Sequence, residues 1–133
     1  MAAPDLPYLL EQAARAYAVK DYALAQTLAG TACKRAPDSV DAWDFHGMAC
    51  QELGDTEAAE TSYKKALKLA QKACKKNARD GKMALRQLFL LMRLGREKEI
   101  EALLALLQER HPDSPGLKKL MATYRMRQGR PRR

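Results

Sequence analysis

The chain is 133 residues long with a formal net charge of +8, and it is rich in alanine but poor in aromatics, at 6%. That length suits one domain with a core of its own. No apolar run approaches eighteen residues, which excludes a helical membrane span. The charge is divided: up to Glu60 there are four Lys/Arg against ten Asp/Glu, and from Thr61 onward twenty against six. An acidic first half and a basic second half say more than the mean.

The first helix is expected from about Pro7 to Val19, opened by Asp5-Leu6-Pro7, since proline is tolerated in a first turn. Lys20-Asp21-Tyr22 makes a turn, a second helix runs to about Arg35, and Ala36-Pro37-Asp38 stops it. Ser39 is a cap candidate for a third helix that contains Trp43 and Gly47. Gly54 supplies a permissive backbone for the next turn, and Asp55 or Thr56 caps a fourth helix. On that helix Ala59, Tyr63 and Ala66 share one face. Good helix formers continue from Gln71 to Lys76, so the fourth helix should run long and end near Asn77. A further pair of helices spans Lys82 to about Arg110 with Gly95 at its turn. After the break His111-Pro112-Asp113-Ser114-Pro115, a last helix is expected from Gly116 to about Arg127. Residues 128–133 read as a basic, disordered tail, which leaves residues 1–127 as the domain.

Trp43, Gly47, Gly54, Ala59, Tyr63 and Ala66, in that order and spacing, resemble the tetratricopeptide repeat. Lys20 and Gly54 are 34 residues apart, which is the period of that repeat, while Gly54 and Gly95 are 41 apart. The resemblance implies an all-α fold: a right-handed α-solenoid of three helix hairpins with a carboxyl-terminal capping helix. It also implies a protein–protein interaction scaffold, either an adaptor or a chaperone-like module, that holds a peptide or amphipathic helix of another protein. The positions that line the groove in this family fall on Leu10, Ala14 and Tyr17, on Asp41, Asp44, Met48 and Gln51, and on Lys82, Leu85, Arg86, Phe89, Met92 and Arg93. Lys82 and Arg86 match two places of the clamp that grips acidic chaperone tails. Leu10, Ala14 and Phe45 fill its other places and cannot hold a carboxylate.

Leu85, Phe89 and Met92 lie on one face of their helix, which either the chain's own last helix covers or an apolar segment of a partner occupies. A second feature is the stripe Lys65, Lys68, Lys72, Lys75 and Arg79, also on one helix face. It is either a solvated outer face or a patch for an acidic protein, nucleic acid or a membrane surface. No aromatics interleave with it, so nucleic acid is the less favoured partner. Head-to-tail self-assembly through the oppositely charged halves is the other alternative. Cys33, Cys50 and Cys74 are widely spaced and read as small packing thiols, which sets the expectation of a reducing, cytoplasmic setting. The start of the chain lacks the pattern of a secretory signal. His46 reads as a packing residue, and no nucleophile, phosphate-loop or metal-ligand spacing is present. Neither an enzyme nor a bound cofactor is expected.

Overall fold

A computed structural model describes residues 5–79 and 81–127. All seven elements among these residues are α-helices. They are α1 (Leu6–Ala18), α2 (Tyr22–Arg35), α3 (Val40–Glu52), α4 (Thr56–Lys76), α5 (Gly81–Leu94), α6 (Glu97–Arg110) and α7 (Pro115–Arg127). The all-α class and the helical-repeat pattern read from the sequence are therefore what the chain adopts. Boundaries moved by a residue where caps decide them. Asp5 accepts from the Tyr8 N–H at 3.0 Å, so α1 starts at Leu6, and Val19 is its C-cap. Ser114 Oγ accepts from the Leu117 N–H at 3.3 Å, so α7 starts at Pro115. The expected tail, residues 128–133, lies outside the described residues.

Two compact units divide the chain, residues 1–95 and residues 96–133. In the first, α1 to α5 each pack on the next helix in sequence, and α1 also meets α3. Its interior is built from small side chains. Leu9, Ala32, Cys33 and Ala42 form one buried cluster with Trp43 and Leu28 packed on it. Ala16, Ala25 and Ala49 form another with Tyr17. Alanine at these contacts lets backbones approach closely and costs no side-chain entropy on burial. The second unit pairs α6 with α7 and buries Ile100, Leu104, Leu107, Leu117 and Tyr124.

The hairpin turns repeat atom for atom. Lys20 N–H donates to the Tyr17 carbonyl, Gly54 N–H to that of Gln51, and Gly95 N–H to that of Met92. All three turn residues have positive φ: 65° at Lys20, 85° at Gly54 and 68° at Gly95. The residue after the turn then caps the next helix. Asp21 Oδ1 accepts from the Leu24 N–H at 3.2 Å and Asp55 Oδ1 from the Ala58 N–H at 3.1 Å. Arg96 stands at the third such place and makes no side-chain cap. Lys20 thus holds the left-handed conformation that glycine holds in the other two turns. A lysine there pays roughly 1 kcal/mol for its Cβ. Lys20→Gly is expected to raise stability by about 0.5–1 kcal/mol, net of the added freedom of the unfolded chain. A urea titration that shows a lower midpoint would contradict this.

α4 is long for the reason read from the sequence. No proline or glycine interrupts Gln71 to Lys76, and the helix runs to a C-cap at Asn77. Asn77 Oδ1 then accepts from the Arg79 N–H at 3.1 Å. Among the described residues, no helix is long and apolar enough to cross a membrane.

Candidate functional site: one face of α1, α3 and α5

The site is anchored by a close contact between α3 and α4. A Cβ on Gly47 would lie 2.6 Å from Tyr63 Cε1 and 2.7 Å from its Cδ1. Only glycine allows the Tyr63 ring to lie flat against the α3 backbone. The ring is 2% exposed, and its hydroxyl donates to Gln51 Oε1 at 2.9 Å. Burial pushes the Tyr63 phenol up to about 12, so it remains a donor at any ordinary pH.

Arg93 of α5 stacks over that ring, with its guanidinium carbon 5.6 Å from the centroid. The same guanidinium binds Asp44 of α3 through an ion pair and hydrogen bond. Asp44 is 6% exposed, and its desolvation outweighs the Arg93 charge, so the carboxyl sits above the usual carboxylate range. A second pair runs parallel: Arg86 Nη2 lies 3.2 Å from Asp41 Oδ1. That contact is one of charge, since Asp41 Oδ1 makes no well-directed hydrogen bond. On α1, Tyr17 OH donates to Glu52 Oε1 at 3.3 Å.

These contacts pair four of the residues expected to line the groove. Asp41, Asp44, Arg86 and Arg93 neutralise one another across α3 and α5. Asp44 is buried and is therefore part of the scaffold. Leu10, Ala14, Tyr17 and Met48 are half-buried, and Lys82 is exposed. On α5, Leu88, Leu90 and Leu91 are buried, whereas Leu85 and Phe89 are 39% and 41% exposed, with Met92 half-buried between. Leu85 and Phe89 are therefore turned to solvent.

The lysine stripe is exposed along α4 at Lys65, Lys68, Lys72 and Lys75, as is Arg79 beyond its end. Lys65 Nζ lies 4.7 Å from the centre of the Trp43 ring. The Trp43 indole N–H donates to the Pro37 carbonyl at 2.8 Å, which ties the start of α3 to the preceding turn. Lys65 is thus a lid on that ring, a packing role the sequence pattern did not reveal.

His46 lies half-buried near Gly30 of α2, and its Nδ1 and Ser62 Oγ share a hydrogen bond of 2.7 Å. Burial lowers its pKa, against a smaller upward pull from the Asp55 carboxylate. Below the ordinary histidine value of about 6.5, the unfolded chain therefore binds more protons than the folded one. This contribution is full above that value and is lost as pH falls through the window beneath it. Melting temperature is expected to drop between pH 7 and 5.5 more steeply than in His46→Gln. Equal slopes would contradict it. Cys33 and Cys50 are buried free thiols, and burial pushes Cys33 up to about 11.

Residues 40–72, which are α3 and most of α4, match the family model described as the tetratricopeptide repeat. No curated protein matches the chain. Tetratricopeptide repeats generally mediate protein–protein interaction. The match spans the Trp43, Gly47, Gly54, Ala59, Tyr63 and Ala66 positions, and the structure shows the Gly47–Tyr63 contact at their centre. The second hairpin of the chain, residues 40–72, is thus similar to the tetratricopeptide repeat.

Proposed function

We propose that the protein is a non-catalytic interaction module, an adaptor or chaperone-like scaffold, whose α5 face seats an apolar segment of another protein. The observation that carries this is the exposure of Leu85 and Phe89, four residues apart on a helix whose Leu88, Leu90 and Leu91 are already buried. A partner helix or extended peptide would place apolar anchors on Leu85, Phe89 and Met92. Lys82, exposed at the start of the same helix, favours an acidic residue beside those anchors. Because Arg86 and Arg93 are engaged with Asp41 and Asp44, the partner meets a surface already neutralised there. Binding should then depend on apolar contact more than on ionic strength.

The test begins with photo-crosslinking from position 89 in source lysate, with position 24 as the control site. Leu24 is likewise exposed but lies on α2. A partner captured at 89 and not at 24 is then titrated against Phe89→Ala. The expected loss is on the order of 2 kcal/mol, a hot-spot value, or about thirtyfold in affinity. An unchanged affinity would reject the α5 face as the site.

A further inference from the structure

The two hairpins of the first unit are in register, and comparing them exposes a place where the Tyr17–Tyr22 ring pair has no counterpart. The paired turn bonds and the Asp21 and Asp55 caps set Tyr22 of α2 equivalent to Thr56 of α4, each the first residue of its helix. Around Tyr22, the ring packs edge-on to Tyr17 of the helix before it, with centroids 5.3 Å apart. The position equivalent to Tyr17 is Gln51, and Arg93 stands where Glu52 stands for the first hairpin. Where Tyr22 puts a ring, Thr56 puts only a hydroxyl and a methyl.

A cleft of about 280 Å³ opens at that place. Thr56 and Ala59 of α4 line it with Gln51 of α3, and Arg93 and Leu94 of α5 close it. Glu60 and the Tyr63 ring form the rest of the wall. Ala59 and Leu94 supply apolar contact. Arg93 already stacks on Tyr63 and offers its planar cation to a second ring. Gln51, Thr56 and Glu60 put polar atoms within the same cleft, suited to a ring that carries a hydroxyl.

We infer that this cleft is a receptor for a tyrosine side chain presented by a partner protein, taking the place that Tyr22 fills within the first hairpin. The inference rests on the interaction-module reading but uses residues separate from Leu85 and Phe89. A partner bound on the α5 face has a second, specific anchor here. The cleft therefore selects among apolar segments that the α5 face alone would accept equally.

The experiment is a backbone-amide NMR titration of the full chain with N-acetyl-L-tyrosinamide, and with N-acetyl-L-alaninamide as control. Saturable shifts at Thr56, Ala59, Tyr63 and Leu94 are expected with the tyrosine compound and none with the alanine one. T56Y places a ring in the cleft at an exposed helix start, so it should fold and should weaken the probe by about tenfold or more. Phe89→Ala should leave probe binding unchanged. No saturable shift, equal shifts from the alanine compound, or full binding to T56Y would each overturn the inference. Shifts confined to Leu85 and Phe89 would overturn it while leaving the α5 face intact as a site.

Discussion

Arg93→Met is expected to lower the free energy of unfolding by about 1–3 kcal/mol, the cost of leaving a buried acceptor without its partner. The variant keeps much of the apolar stem and removes the guanidinium, with its charge, its hydrogen bond to Asp44 and its stacking on Tyr63. Asp44 would then be left with its carboxylate buried and unpaired, in a site where desolvation already raises its pKa. The penalty has a pH signature. Its source is the ionised carboxylate, so the loss should shrink as pH falls and Asp44 takes up a proton. Asp44→Asn in the Arg93→Met background should recover most of the stability, since a neutral amide costs far less to bury. Urea titrations of the two single variants and the double variant give the coupling directly. Additive losses would mean that the pair contributes nothing as a pair.

Gly47→Ala should lose about 1–2 kcal/mol, although alanine is the better helix former. The propensity gain is about 1 kcal/mol. Against it, a Cβ 2.6 Å from the Tyr63 ring must displace that ring, which is buried and held through its hydroxyl by Gln51. Overpacking of this kind typically costs roughly 1–3 kcal/mol. Gly47→Leu should lose about 3 kcal/mol, because a larger side chain brings more atoms into a contact that a Cβ already overfills. Tyr63→Leu should relieve part of the Gly47→Ala cost, as expected for residues in contact. A thermal melt of Gly47→Ala at or above the parent midpoint would remove this contact from the account.

Much of the repeat architecture was legible because it depends on neighbours close in sequence. Gly47 and Tyr63 occupy family positions in one hairpin, and their contact follows from the requirement that α3 and α4 pack closely. Lys20 falls at the turn-glycine place of the repeat that the sequence resembles, 34 residues before Gly54, and its φ of 65° agrees. The length of α4 followed from composition. The ion pairs between α3 and α5 were not legible. Asp44 and Arg93 are 49 residues apart in sequence, and helix periodicity says which face a side chain occupies but not its partner on another helix. Placing Asp41, Asp44, Arg86 and Arg93 along one groove does not show that they neutralise one another. The cleft beside Thr56 was hidden for a different reason. It is defined by a ring that is absent, and only superimposing Tyr22 on Thr56 through their equivalent caps brings it out.

The central claim is that the apolar face of α5 serves binding and not the protein's own core. The stability of Phe89→Ala tests it without knowledge of the partner. For a side chain 41% exposed at an unoccupied site, the unfolding free energy should fall by about 1 kcal/mol or less. A loss of roughly 3–5 kcal/mol, the cost of deleting a core phenylalanine, would contradict it.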